Sequence, residues 1–75
     1  MKAKFTAIMR REEDMFVALE PDLDIASQGE TRESALANLK EAVELFLETA
    51  SKQEISGRLS EEMWITQFEA DYAEA

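Results

Sequence analysis

The 75-residue chain is short, acidic and free of cysteine and histidine, and these features exclude several classes of protein. A chain this short forms one domain, residues 1–75, and such small domains are commonly stabilised by oligomerisation. Without Cys or His there are no disulfides, no thiolate metal sites and no usual general base. We therefore expect no cofactor, no metal and no enzyme. No apolar run reaches the roughly 20 residues of a membrane span, and no secretory signal is present, so we expect a cytoplasmic protein.

The net charge of −9 is distributed unevenly along the chain. Residues 1–11 carry four basic groups and no acid, whereas residues 12–75 carry 17 acidic and four basic groups. A surface with this excess of carboxylates repels phosphate backbones and attracts basic proteins. We therefore expect a protein partner and no direct binding of nucleic acid.

The first part of the sequence predicts three short strands. Residues 2–10 alternate apolar and polar side chains, which is the pattern of a half-buried strand. After the polar residues 12–14, the apolar run 15–19 predicts the second strand of a hairpin. Pro21 cannot donate to a sheet, so this strand should end at Glu20. The third strand is expected over residues 24–28.

A capped amphipathic helix is expected next. Gly29 suits a corner with positive φ, Thr31 is the expected N-cap, and Glu33 suits the first turn of a helix over residues 32–51. Its apolar stripe is Ala35, Leu36, Leu39, Ala42, Val43, Phe46, Leu47 and Ala50. Leu45 lies about 130° from the centre of this stripe, at about 100° per residue, so it is either a contact residue in an oligomer or a single exposed leucine.

The C-terminal part predicts a loop and a fourth element. Residues 52–60 are polar and contain Gly57, which indicates a loop. Residues 62–70 are rich in aromatic and β-branched side chains and favour a strand, although the acidic residues before them could also begin a helix. In a strand, Trp64 and Phe68 lie on one side and Met63 and Ile65 on the other, so both sides need to be covered.

The region from Asp14 to Glu48 resembles the HicB-like family, the small antitoxins of bacterial and archaeal toxin–antitoxin pairs. The resemblance is carried by the string from Pro21 to Thr31, Pro-Asp-Leu-Asp-Ile-Ala-Ser-Gln-Gly-Glu-Thr, followed by Glu33, Ala35, Leu39, Ala42 and Phe46. In weaker form it extends from Phe5 to the last predicted strand, where Glu-Glu-x-x-x-Thr-Gln-x-Glu is similar to the closing strand of short members.

The resemblance implies an α+β fold, a single β-β-β-α-β domain with one helix on a mostly antiparallel four-stranded sheet. This arrangement is a partial RNase H-like fold without a C-terminal DNA-binding domain. One helix covers only one side of such a sheet, so the other side should be covered by a second copy, as we expect, or by the chain's own tail. The expected core consists of Phe5, Ala7, Val17 or its alternating neighbours, Leu36, Leu39, Val43, Phe46 and Ile65.

The function implied by the resemblance is an antitoxin that binds and neutralises a small basic HicA-type ribonuclease toxin. The candidate toxin contacts are the exposed carboxylates near the Pro21 turn and on the helix: Glu20, Asp22, Asp24, Glu41, Glu44 and Glu48. We also expect a homo-oligomer assembled through the C-terminal strand, with Leu45, Trp64 and Phe68 as candidate interface residues.

Two alternatives remain open at this stage. A residual RNase H-like enzyme could use Asp22, Asp24 and Glu33 to hold Mg²⁺ and cleave RNA, although such sites need converging carboxylates beside a groove that accepts a polyanion. In the second alternative the chain is a structural oligomer with no toxin partner, and its carboxylates are simply solvated.

Overall fold

The computed structural model describes residues 3–59 and 62–73, and its elements follow the order β-β-β-α-α. They are β1 (Ile8–Glu12), β2 (Met15–Glu20), β3 (Ile25–Gly29), α1 (Arg32–Thr49) and α2 (Lys52–Leu59). The predicted β-β-β-α-β order with a four-stranded sheet is therefore wrong, because the structure has a three-stranded sheet and two helices. Within the described residues, no helix is both long and apolar enough to cross a membrane.

The three strands form an antiparallel sheet in the order β1-β2-β3. Glu12 pairs with Met15, so Glu13 and Asp14 form a two-residue turn, in which Glu13 has a positive φ of 57°. This confirms the predicted hairpin. The strand β2 also ends at Glu20, directly before Pro21, as expected.

The first strand starts later than predicted. It begins at Ile8 and ends at Glu12, whereas residues 3–7 continue in its direction without joining the sheet. The backbone N–H of Thr6 donates to the Glu20 carboxylate instead of a strand carbonyl, at 2.8 Å. Since β2 ends at Glu20, residues 3–7 have no strand beside them. Lys2, the first residue of the predicted strand, lies outside the described residues.

Gly29 is needed for a close approach and not for a positive φ, so that part of the prediction is wrong. A Cβ built at Gly29 would lie 2.5 Å from the backbone nitrogen of Ala35 and 2.8 Å from the carbonyl carbon of Ser34. The left-handed conformation falls on Asp24, with φ of 55°. The absence of a side chain at Gly29 thus lets β3 lie directly against the start of α1.

The helix α1 begins as the sequence predicts. The Thr31 hydroxyl accepts from the Ser34 backbone N–H at 3.0 Å, and the Ser34 hydroxyl accepts from the Thr31 backbone N–H at 3.0 Å. This reciprocal capping box satisfies two N–H groups that a helix start leaves without a partner. Glu33 lies in the first turn, where the helix dipole favours a negative charge.

The hydrophobic core lies between α1 and the strands β2 and β3. It consists of Ala18, Leu23, Ala35, Leu39 and Val43. Burial of Leu39 and Val43 and partial burial of Phe5, Ala7 and Phe46 confirm the prediction for those residues. Leu36 and Ile65 are 45% and 58% exposed, so their assignment to the core is wrong. Leu36 lies at the edge of the apolar stripe, and Ile65 belongs to a segment that does not join the sheet.

The segment predicted as a loop forms α2, so that prediction is wrong over residues 52–59; Ser60 lies outside the described residues. The Ser51 hydroxyl accepts from the Glu54 backbone N–H at 3.1 Å and begins the helix. Glu54 and Arg58 form an i, i+4 ion pair at 3.7 Å. Arg58 links α2 to the domain through a 2.7 Å hydrogen bond to the Leu23 carbonyl and a contact 5.3 Å from the centre of the Phe46 ring.

Residues 62–73, which we call the C-terminal segment, form no strand, so the predicted fourth strand is wrong. Every residue of this segment is exposed. The Cα radius of gyration is 15.2 Å, compared with about 11 Å expected for a compact chain of this length. The C-terminal segment therefore projects away from the sheet and α1.

Candidate protein-binding surfaces

Glu20 is fully buried, and its carboxylate holds the turn between β2 and β3. One oxygen accepts from the Thr6 backbone N–H, and the other accepts from the backbone N–H groups of Asp22 and Leu23 at 2.5 and 3.1 Å. A buried carboxylate is tolerated when hydrogen bonds replace its water. Of the six candidate toxin contacts, Glu20 is thus the one that the fold places inside the protein.

Asp22 and Asp24 lie on either side of a buried leucine in the same turn. Leu23 is almost completely buried, while Asp24 is exposed and Asp22 is half-buried. The Leu23 carbonyl accepts from Arg58, so the turn is held from within by Glu20 and from α2 by Arg58. This arrangement presents the two aspartates on a fixed turn at the surface.

Glu41, Glu44 and Glu48 form an acidic stripe on α1. All three are exposed, and their spacing places them within about 60° of one another around the helix. The stripe runs into the last turn, where the helix dipole disfavours negative charge and no basic residue is present. Glu44 and Glu48 are also like charges at i, i+4, which costs a few tenths of a kcal/mol. The acidic stripe is therefore unfavourable for the helix that carries it.

Within the described residues, these surface carboxylates form no ion pair. In residues 3–59 and 62–73, the two ion pairs are Arg10 with Glu12 and Arg58 with Glu54. The described part of the chain thus offers no ion-pair partner to the acidic stripe or to the two aspartates of the turn. Their charge remains available to a basic molecule.

A groove lies between residues 3–7 and α1, next to the Glu20 end of β2. We call it the α1 groove. Its volume is about 590 Å³, within the range of about 300 to 1,000 Å³ that is typical of ligand pockets. It is lined by Ala3, Phe5, Thr6, Ala7, Glu20, Leu39, Lys40, Val43, Glu44, Leu47 and Glu48. The floor is apolar, and the acidic stripe borders it through Glu44 and Glu48.

The three predicted interface residues lie on two different parts of the fold. Trp64 and Phe68 are 82% and 88% exposed in the C-terminal segment, and Leu45 is 61% exposed on α1. Leu45 is not among the residues of the α1 groove, because it lies about 160° around the helix from Val43 at about 100° per residue. Leu45 thus lies on a different part of the fold from Trp64 and Phe68, which share the C-terminal segment.

The carboxylates of the enzyme alternative lie on different elements. Asp22 and Asp24 lie in the β2–β3 turn, whereas Glu33 lies in the first turn of α1. Over the residues that the structure describes, no group of three or more His, Cys, Asp or Glu side chains could hold a metal ion.

Sequence reasoning missed the buried role of Glu20, the burial of Leu23 and the α1 groove. An apolar residue between two aspartates, directly after Pro21, was a signal that the turn folds inward. No local sequence pattern indicates the groove, because residues 3–7 and α1 are distant in sequence and meet beside Glu20 at the end of β2.

Comparison with known proteins gives a family but no characterised relative. The model of a family of unknown function, DUF7387, matches residues 3–74. No curated protein and no solved structure gives a significant match. Since the matched region spans almost the whole chain, the protein belongs to this family of unknown function, DUF7387.

Proposed function

We propose that the protein is an antitoxin-like binding protein that neutralises a small basic ribonuclease toxin of the HicA type by direct contact. The observation that carries the proposal is the set of surface carboxylates that form no ion pair within the described residues. They are Asp22, Asp24, Glu41, Glu44 and Glu48. The resemblance of residues 14–48 to HicB-like antitoxins supports the same assignment.

A ribonuclease would supply the positive charge that can pair with these carboxylates. A protein that binds RNA needs a basic surface, and complementary potentials accelerate association and favour the correct partner. The position of the acidic stripe at the C-terminal end of α1 costs the free protein stability. A basic partner that neutralises the stripe would remove this cost. Such a complex covers the surface with which the toxin binds RNA.

The experiment is rescue of growth in cells that express a short basic protein encoded beside this chain's gene. Wild-type chain should relieve growth arrest and co-purify with the toxin, and the complex should dissociate as salt is raised. The triple variant Glu41→Gln, Glu44→Gln, Glu48→Gln should lose rescue and co-purification.

The matched control is the triple variant Glu12→Gln, Glu13→Gln, Asp14→Asn, which removes the same charge at the β1–β2 turn. It should rescue like the wild type. Equal loss in both triple variants would show that only net charge matters and would remove the acidic stripe as the contact. Cleavage of RNA by the purified chain alone with Mg²⁺ would contradict the proposal altogether.

A further inference from the structure

We infer that the C-terminal segment of one copy occupies the α1 groove of a second copy, so that two chains exchange these segments. This inference concerns self-assembly and does not depend on a toxin partner. The described residues carry both halves of such a contact, because the α1 groove is open with an apolar floor and the C-terminal segment exposes apolar side chains.

The composition of the C-terminal segment is that of a ligand for an apolar groove. In a chain of which 33% is charged, the six residues 63–68 carry no charge. They include Trp64 and Phe68, whose exposure of 82% and 88% leaves the largest apolar side chains of the segment in solvent. Exposed aromatic side chains at this density mark an interaction site.

The dimensions of the two parts agree. In extended backbone Trp64 and Phe68 lie on the same side and about 13 Å apart, at about 3.3 Å per residue. The groove wall on α1 extends from Leu39 to Glu48, a rise of about 13.5 Å at 1.5 Å per residue. One extended segment can therefore place both aromatic side chains against the apolar floor.

Charge favours the same arrangement. The uncharged centre of the segment faces Glu44 and Glu48 at the groove border without like-charge repulsion. Acidic residues flank that centre, at Glu62, Glu69 and Asp71. Of the basic residues, Lys40 lines the groove, and Lys4 lies between the lining residues Ala3 and Phe5. The acidic ends of the segment can therefore pair with these two lysines, while its uncharged centre lies against the apolar floor.

A second copy is favoured as the occupant by the area that reciprocal exchange buries. An aromatic side chain buries about 150 to 250 Å², so the two aromatics of each of two segments supply about 600 to 1,000 Å². The groove walls lose a similar area, which brings the total to the 1,200 to 2,000 Å² of a standard stable interface. In the structure the chain's own segment lies outside its groove, which suits exchange with another copy.

Light scattering on the full chain is the first test. The wild type should have twice the mass of one chain at micromolar concentration, and the double variant Trp64→Ala, Phe68→Ala should have the mass of a monomer. A monomeric wild type at high micromolar concentration would overturn the inference. A double variant that stays dimeric would overturn it as well. The single variant Ala3→Trp, which fills the groove without changing the core, should also be monomeric.

Disulfide mapping tests whether the C-terminal segment docks in the α1 groove and whether it comes from a second copy. The absence of native cysteine makes each introduced thiol unique. A Leu47→Cys chain and a Trp64→Cys chain are mixed, allowed to exchange and oxidised. We expect a covalent heterodimer. In the matched control Leu45→Cys replaces Leu47→Cys, and no heterodimer should form because Leu45 lies on the other side of α1. Linkage to Leu45→Cys would overturn docking in the groove. A Leu47→Cys, Trp64→Cys chain that forms only an internal disulfide would show that the chain fills its own groove and would overturn exchange.

Discussion

Two regions of the chain, residues 8–50 and residues 51–73, both have sequence patterns that predict secondary structure. They differ in that the first packs into a core and the second stays at the surface. The first region contains the sheet, α1 and all five residues of the apolar core. In the second region α2 has no buried residue, and the C-terminal segment is exposed throughout. The comparison teaches that periodicity reports the local conformation of a segment, whereas burial also requires a partner surface. The first region has that surface within the chain.

The two regions also differ in how polar groups hold them. In the first, the buried Glu20 carboxylate accepts from the backbone N–H groups of Asp22 and Leu23, and also from that of Thr6 just before the region. In the second, Arg58 reaches the Leu23 carbonyl from a helix that is otherwise solvated. Removing the hydrogen bonds of Glu20 should lower the stability of the whole domain, whereas substitutions in α2 should change the stability of α2 alone. Substitutions in each region test this difference.

The largest effect is expected at Leu39, in the centre of the first region. Leu39→Ala leaves a cavity between α1 and the sheet and should lower the free energy of unfolding by about 2 to 5 kcal/mol. Leu36→Ala is the matched control, because Leu36 is 45% exposed on the same helix. Its effect should be clearly smaller. Urea denaturation followed by circular dichroism measures both, and equal losses would show that the apolar core is wrongly placed.

Gly29→Ala should destabilise the contact between β3 and α1. The new Cβ would meet backbone atoms of Ser34 and Ala35 that cannot move aside as a side-chain end can. Overpacking of this kind costs about 1 to 3 kcal/mol. Thermal melting of the variant should show a lower midpoint. An unchanged midpoint would mean that α1 can shift away from β3 without loss.

Glu20→Gln tests the buried anchor with an almost isosteric side chain. The amide keeps one acceptor oxygen, but its NH₂ group then faces an N–H that the carboxylate satisfied. We expect a loss of about 1 to 3 kcal/mol in the free energy of unfolding. Glu48→Gln changes the same charge on exposed α1 and should stay within about 0.5 kcal/mol. If the two variants lose the same stability, the hydrogen bonds of Glu20 do not hold the turn.

Much of the first region could be predicted from the sequence because its signals are local. Pro21 ends β2, Thr31 caps α1, and the apolar spacing along α1 identifies Leu39 and Val43 as buried. The start of β1 could not be predicted in this way. Residues 3–7 alternate like a strand, but β2 ends too early to pair with them.

The secondary structure of the second region was wrongly predicted for two physical reasons. Gly57 suggested a loop, although Ser51 and Glu54 already have the spacing of a helix start and Arg58 pairs with Glu54. Residues 62–70 are rich in aromatic and β-branched side chains, as strands are, but no described strand is paired with residues 62–70. Their side-chain pattern predicted extended backbone and could not supply a neighbour.

The candidate binding residues also divide into those that the sequence predicts and those that it does not. Exposure of Asp24, Glu41, Glu44 and Glu48 agrees with the charge pattern, since acidic residues off the apolar stripe face solvent. Burial of Glu20 did not follow from its residue type, because carboxylates are seldom fully buried. It depends on the N–H groups of Asp22 and Leu23 in the folded turn and on that of Thr6, 14 residues before Glu20.

The smallest effect is expected from Gly57→Ala, and it sharpens the contrast with Gly29 most directly. A Cβ at Gly57 would meet nothing within 4 Å, and alanine favours a helix by about 0.5 to 1 kcal/mol over glycine. Since α2 has no buried residue, we expect it to open without unfolding the sheet and α1. Amide hydrogen exchange in α2 should therefore slow about two- to fivefold, while the midpoint of global unfolding stays unchanged. A midpoint that rises with the substitution would show that α2 unfolds together with the core, and the boundary between the two regions would then lie after Leu59 and not after Ala50.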